Sequence, residues 1–366
     1  MAGLGPFGGA YAGRRVLVTG HSGFKGSWLA LWLCGLGARV LGISLDPPSE
    51  PHHLPLLGLD MDEQRVDLRD AAGLAAAVAG FQPEVVFHLA AQPLVRLSYA
   101  EPAATFATNV MGTVNLLEAC RLVPGLKAIV NVTSDKCYDN REWVWGYREN
   151  DPMGGHDPYS CSKGCAELVS ESYRRSFFQG GEGGSQALLA SARAGNVIGG
   201  GDWGQDRLVP DVVRAVAAGR PVVVRQPRAQ RPWQHVLEPL SGYLLLGRAL
   251  MEGRREYAAG WNFGPAGGRP LSVGELVELM AVCWPAVRHE FMDQAPDLHE
   301  ATYLRLDSSK AHALLGWRGV WDDAEAVRLT VEWYRAYHEN GEAPSRRQLD
   351  AYVRRAGELG LDWAKS

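Results

Sequence analysis

The sequence predicts a doubly wound α/β fold, a parallel sheet covered by helices on both faces, with a smaller C-terminal domain. Three observations carry that prediction. In the stretch VLVTGHSGFKGSWLA, Val16–Ala30, a short apolar strand (Val16–Thr19) enters a glycine turn. The turn opens an apolar helix through Trp28, Leu29, Leu31, Trp32 and Leu33. Short apolar runs then alternate with helical stretches through the first half of the chain, the pattern of a parallel sheet. Finally, 366 residues exceed one ordinary domain. The expected division is 14–195 for the sheet domain and 196–366 mainly for the second, with segments near 234–264 returning to the first.

Gly20, Gly23 and Gly26 follow the first strand at three-residue spacing. In such a turn the first glycine permits a sharp bend, the second a close approach of backbone to phosphate, and the third tight packing of helix on strand. The helix N-terminus adds free N–H groups and partial positive charge. Flanked by strand and helix, the turn reads as a Rossmann-type pyrophosphate cradle rather than a plain bend.

The first helix ends near Gly35 and Gly37, and Arg39–Leu45 is the second strand. Asp46 stands at its end, where an acid binds the adenosine ribose and repels a 2′-phosphate, favouring NAD over NADP. An ordinary loop aspartate is the alternative. Pro47–Pro55 is a loop, Gln64–Asp67 a third strand, Ala71–Ala79 a helix and Val85–Leu89 a buried strand. Ala90 and Ala91 follow it, small enough for a flat cofactor to lie close. Thr105–Cys120 reads as one helix with Val110, Val114 and Leu117 on a face that packs on the sheet or on a second subunit. Lys127–Val132 is the fifth strand and Ala187–Ala194 the sixth, after a glycine-rich loop at Gly180–Ser185. Arg207 and Leu208 open a helix over Asp211–Ala218, and its N-terminus suits a diphosphate. His235–Val236 and Trp261–Phe263 are expected to return to the main sheet. Leu271–Cys283, Ser308–Leu315, Asp322–Glu339 and residues 345–358 are expected helices.

Net charge is −4, so no general attraction to nucleic acid or anionic membrane is implied. The six cysteines form no C-x-x-C pair and no His/Cys cluster, which points to reduced thiols and no metal site. Residues 1–13 are too weakly apolar for a signal peptide, and no apolar run of about 18 residues suggests a membrane span. A cytoplasmic location is expected.

The chemistry is concentrated after the fifth strand, at Thr133-Ser134-Asp135-Lys136, and in a Y-x-x-x-K, Tyr159 and Lys163, at the start of a helix running to about Phe178. Residues four apart share a helix face. A free tyrosine is a poor base at neutral pH, and a neighbouring ammonium favours its phenolate. Tyr159 can then take a proton from a hydroxyl held by Ser134 while hydride leaves the same carbon, with Lys163 also on the nicotinamide ribose. Asp135 and Lys136 supply an acid and a candidate base beyond what simple redox needs, as a dehydration requires.

The G-x-x-G-F-x-G form, through Phe24, resembles the extended, nucleotide-sugar branch of the short-chain dehydrogenase/reductases. Several runs are similar to the CDP-D-glucose 4,6-dehydratases of that branch. They are Gly23-Phe-Lys-Gly-Ser-Trp28, Ala91–Arg96, Ser134–Trp143, Gly154–Tyr159, Ser191–Gly199 and Arg231–Glu238. The resemblance spans nearly the whole chain except residues 1–13 and the far C-terminus. It departs from the thymidine- and guanosine-linked dehydratases, which carry Asp-Glu where this chain has Asp135-Lys136, so the base at C5 stays open between Lys136 and another group. It implies NAD as cofactor, with Phe24 in the cradle, Asp67 and Leu68 against the adenine and Asn109 positioning the catalytic region. It implies Asn196, Arg207, Leu208, Arg231 and His299 on the nucleotide-sugar side, Arg231 as a diphosphate clamp. It further implies a homodimer, a CDP-D-glucose substrate and a place in deoxysugar synthesis such as that of lipopolysaccharide O-antigen. Dehydration of another nucleotide sugar, 4-epimerisation and a non-catalytic NAD-binding regulator are the rival readings.

Overall fold

The computed structural model describes residues 5–47, 49–178, 185–265, 269–292 and 303–365. The chain runs through β1 (Arg15–Thr19), α1 (Phe24–Gly35), β2 (Arg39–Ser44), β3 (Asp62–Arg65), α2 (Ala71–Phe81) and β4 (Val85–His88). Then come α3 (Val95–Ala100), α4 (Pro102–Phe106), α5 (Gly112–Arg121), β5 (Ala128–Val132), α6 (Pro158–Ser176) and β6 (Leu188–Ala194). The second half holds β7 (Val197–Ile198), α7 (Leu208–Ala217), β8 (Val222–Val224), β9 (Gln234–His235), α8 (Leu237–Met251) and β10 (Gly260–Phe263). It closes with α9 (Val273–Cys283), β11 (His289–Phe291), α10 (Asp323–Asn340) and α11 (Ser345–Glu358).

Seven strands form one parallel sheet in the order β10-β6-β5-β4-β1-β2-β3. Every residue of β4, β5 and β6 is buried, as a strand covered on both faces requires. The strand order reverses between β1 and β4. The crevice beyond their C-terminal ends is therefore where a ligand of such a sheet binds.

Several expected elements move. The third strand is Asp62–Arg65, not Gln64–Asp67; its four residues are exposed, and their charges protect a sheet edge from further pairing. The helix expected over Thr105–Cys120 is interrupted by a π-helical turn at Ala107–Met111, so its apolar stripe splits. Leu117 is buried, whereas Val110 and Val114 are only half-buried. Trp261–Phe263 does join the main sheet, within β10, but Gln234–His235 pairs with Val197–Ile198 in a separate ribbon. The helix expected from Leu271 begins at Val273, because Ser272 and Glu275 close a capping box there. Ser308–Leu315 yields only a π-helical turn at Ala311–Leu315. Most of Gly180–Ser185 lies outside the described residues.

The two ends of the chain meet over α1. Phe7 is fully buried, stacked on Trp363 with ring centroids 4.9 Å apart and edge-on to Trp32 at 5.7 Å. Truncating a buried phenylalanine costs about 3 kcal/mol or more. Phe7→Ala should thus lower the melting temperature by about 4 °C, given the unfolding entropy of a chain of this size. A thermal melt with no shift would show that the contact contributes nothing.

Candidate active site

The glycine turn packs its backbone directly on the neighbouring backbone. Gly20 has φ +76°, and a Cβ there would stand 2.7 Å from the Ala90 nitrogen. At Gly26 a Cβ would fall 2.0 Å from the Gly20 carbonyl oxygen. Gly23 is the N-cap of α1 and brings no side chain to cover the helix's first N–H groups, which leaves them for an anion. Phe24 is half-buried at the same turn. A cavity of about 560 Å³ adjoins this turn, lined by His21, Ser22, Ser44, Asp46 and Arg65 among others. It does not reach Tyr159; it lies beyond the C-terminal end of β2. Asp46 carries an ion pair with Arg65, both exposed, so the acid expected on the adenosine ribose has a cation beside it. This cradle fits the pyrophosphate and ribose of a dinucleotide. Gly26→Ala should weaken NAD binding to the purified protein by about 100-fold or more, since its methyl collides with backbone. Calorimetric titration with NAD checks this, and unchanged affinity would mean the cradle is not used.

The neighbouring strand ends are tied together by buried polar groups. Thr19 Oγ1 is 2.7 Å from His88 Nδ1, and the Ala90 N–H donates to Thr19 Oγ1 at 3.2 Å. Burial pushes the His88 imidazole down to about 3, so it stays neutral. Ala90 and Ala91 are half-buried at the β4 end. Asp67 forms an ion pair with Arg69, whose hydrogen bonds hold its carboxyl below the usual range. Leu68 is buried, and its carbonyl accepts from Asn115 at 2.8 Å. Asn109 sits in the π-helical turn and is buried. It accepts from the Gln92 N–H (2.8 Å) and donates to the Gln92 carbonyl (3.0 Å) and to Ser162 Oγ (2.8 Å). It therefore locks the segment after β4 to α6, the helix that carries Tyr159 and Lys163.

Ser134, Asp135, Tyr159 and Lys163 come together, all at least nine-tenths buried. Asp157 caps α6, accepting from Ser160 N at 2.9 Å, while the Tyr159 N–H donates to Ser98 Oγ at 3.1 Å. Burial pushes the Tyr159 phenol up to about 12, opposed chiefly by a hydrogen bond with Ser134 and then by the positive charge of Arg207. The sequence pointed to Lys163 as the cation acting on the phenol; in the chain alone the main opposing charge is that of Arg207. Burial lowers the Lys163 ammonium to about 8, against the opposing charge of Glu167.

Asp135 is the most distinctive group. Its Oδ1 accepts from Ser134 Oγ at 3.0 Å, and its Oδ2 is buried with no hydrogen-bond partner among the described residues. Burial raises its carboxyl above the usual range, opposed by Lys136, Ser134, Lys25 and Arg231. A carboxyl so placed is biased toward its protonated form and can donate. Lys136 is half-buried beside it, and its backbone N–H donates to Ser134 Oγ at 3.2 Å.

On the other flank, Arg207 is the N-cap of α7 and is paired with the buried Asp202. Leu208 is half-buried at the first position of that helix. Asn196 lies just past β6, and its carbonyl accepts from Gln234 N. Arg231 is close enough to Asp135 to act on its charge. His299 lies outside the described residues.

Three participants escaped the sequence reading. Lys25, inside the glycine turn, is half-buried near Asp135, Lys163 and Arg207, and loss of hydration lowers its ammonium to about 8. Its signal was available: apart from His21 it is the turn's only basic side chain. Glu167 lies one turn beyond Lys163 and forms a buried ion pair with Arg193 at 2.8 Å, joined by Thr133 and Ser191. Ser98 had no local pattern to reveal it. Among the described residues no group of three or more His, Cys, Asp or Glu could hold a metal ion, and no helix is long and apolar enough to cross a membrane.

Residues 16–260 match the model of the NAD dependent epimerase/dehydratase family. The chain is 50% identical over 348 residues to the CDP-glucose 4,6-dehydratase of Salmonella typhimurium, covering 94% of this chain and 97% of that protein. Among solved structures it resembles the dTDP-glucose 4,6-dehydratase of Streptomyces venezuelae with NAD bound. The TM-score is 0.74 at 26% identity, covering 90% of this chain and 99% of that one. The UDP-glucose 4-epimerase of Thermus thermophilus in complex with NAD gives the same TM-score, 0.74, at 27% identity over 88% and 99% of the two chains.

Proposed function

The chain belongs to the NAD dependent epimerase/dehydratase family, and from that premise we propose that it converts CDP-D-glucose to CDP-4-dehydro-6-deoxy-D-glucose and water. The observation that carries this reading is Asp135, a buried carboxyl with a free oxygen beside Ser134 and Tyr159. Reversible oxidation at C4, all that an epimerase needs, has no use for an acid there. Loss of a hydroxide from C6 does. Half-identity to a CDP-glucose 4,6-dehydratase over nearly all of both chains supports the same choice.

What NAD supplies when bound is a reversible store for one hydride, taken from C4 and returned at C6. Tyr159 takes the proton of the C4 hydroxyl, which Ser134 orients. The resulting ketone acidifies the C5–H bond. The C5 proton passes to a base, for which Lys136 is the candidate at the same strand end, and Asp135 gives its proton to the departing C6 hydroxyl. Hydride at C6 and a proton at C5 then complete the product. Gly20, Gly23, Phe24 and Gly26 would hold the pyrophosphate, and Asp46 the adenosine ribose. Asp67, Leu68, Ala90 and Ala91 would flank the rings, Asn109 would brace them, and Lys163 would reach the nicotinamide ribose. Arg231, Arg207, Leu208 and Asn196 would face the substrate diphosphate, for which a guanidinium fork is suited.

A cytoplasmic homodimer serving deoxysugar synthesis completes the proposal. Exposed apolar side chains support the dimer: Met111, in the π-helical turn before α5 with half-buried Val110, and Leu168 on α6 are 52% and 61% exposed. The test of the activity is a side-by-side incubation with the glucose derivatives of CDP, dTDP, UDP and GDP. A product lighter by one water from the CDP sugar first and fastest is expected. A product of unchanged mass, or preference for another base, would overturn the assignment.

A further inference from the structure

The Gly200–Asp202 segment played no part in the sequence reading, yet the structure holds it rigidly beside the reacting groups. A Cβ at Gly200 would fall 1.9 Å from the Trp333 ring, and one at Gly201 2.4 Å from His53. The Gly200 carbonyl accepts from Trp28 Nε1 at 2.9 Å, and the Asp202 N–H donates to the Tyr334 hydroxyl at 2.9 Å. The segment is thus clamped between α1 and α10. Its last residue, Asp202, is buried and takes Arg207 Nη1 on both carboxylate oxygens, at 3.0 and 2.9 Å, while Oδ1 also accepts from Gly204 N at 3.0 Å.

We propose that Asp202 is a positioning residue of the redox step: by clamping Arg207 it keeps a guanidinium beside the Tyr159 phenol and eases the loss of the phenolic proton. The charged groups around that phenol come from four elements. Asp135 beyond β5 and Asp157 at the head of α6 oppose its ionisation, and Arg207 at the head of α7 favours it. Lys163 follows one turn on in α6, and Lys136 and Lys25, the latter on α1, act on the neighbouring Asp135. Asp202 reaches the phenol through its ion pair with Arg207, whose charge acts on Tyr159. Without the carboxylate, Arg207, whose side chain is 35% exposed, has a path to solvent. Its role in turnover rests on the dehydratase reading, and the test below separates the two.

The pH dependence of kcat for CDP-glucose is compared in wild type, Asp202→Asn, Asp202→Glu, Arg207→Gln and the Asp202→Asn/Arg207→Gln pair, with circular dichroism to verify folding. The acid limb of kcat should move up by about one pH unit in Asp202→Asn and in Arg207→Gln. The double variant should move no further than Arg207→Gln alone, and Asp202→Glu should recover part of the shift. A limb that stays or falls in Asp202→Asn, a change in KM alone, or additive shifts would overturn the proposal. If the wild type turns over no nucleotide glucose, the dehydratase reading fails. The positioning claim is then decided without substrate, from the 13Cζ resonance of Tyr159 assigned with Tyr159→Phe. A smaller ionised fraction in Asp202→Asn than in wild type near about pH 11 supports it, and an equal or larger fraction sinks it.

Discussion

Tyr159→Phe is expected to lower kcat by about 10³-fold with little change in KM, the range for loss of a positioned acid–base group. The change removes one oxygen from a side chain that is 8% exposed, leaving ring packing and the α6 cap at Asp157 intact. The loss should therefore appear in the chemical step and not in stability, and a thermal melt should superimpose on that of wild type. Burial holds the phenol near 12 in the chain alone, so its reactivity depends on the charges and hydrogen bonds around it. Ser134→Ala removes one of those hydrogen bonds and should produce a smaller loss in the same parameter. A Tyr159→Phe enzyme with kcat within about tenfold of wild type would remove the phenol from the mechanism.

Asp135→Asn should separate oxidation from elimination. The amide keeps the side chain's size and can still meet the Ser134 hydroxyl, but it has no acidic proton to give the C6 hydroxyl. Dehydration should fall by about 10³-fold. Oxidation at C4 should survive, and in D2O the C5 proton should exchange into recovered substrate faster than water is lost. The assay is mass spectrometry of the nucleotide sugar after incubation in D2O. Loss of exchange and dehydration together, in equal proportion, would mean that Asp135 serves the redox step rather than the leaving group. Because burial raises its carboxyl, the protonated fraction falls only as pH climbs above the ordinary carboxylate range. The elimination step should accordingly hold through the ordinary carboxylate range and weaken as pH rises beyond it.

The central strands were legible in the sequence because burial on both faces leaves an uninterrupted apolar run, as in Val85–His88 and Ala128–Val132. The edge strand was displaced because DEQR offers no apolar signal at all; its pairing with β2 is a tertiary fact. The π-helical turn at Ala107–Met111 was invisible for a similar reason. Helical periodicity continues through it, and the turn accompanies Asn109's three hydrogen bonds to Gln92 and Ser162. Motif residues of the candidate site stand out in the sequence wherever spacing and strand ends coincide: Gly20, Gly23 and Gly26, Ser134, Tyr159 and Lys163. Lys25 and Asp202 were not, since each gains its meaning from neighbours far along the chain. Asp202 meets Tyr334 across 132 residues. The ribbon of Gln234–His235 with Val197–Ile198 is likewise a choice between two possible partners that local pattern does not make.

The proposed reaction turns on one internal transfer: the hydrogen lifted from C4 is the one set down on C6. CDP-D-glucose carrying deuterium at C4 tests it most directly. The product should hold that deuterium in its C6 methyl group when the reaction is run in ordinary water. Deuterium retained at C4, or washed out while a dehydrated product still forms, would contradict the account.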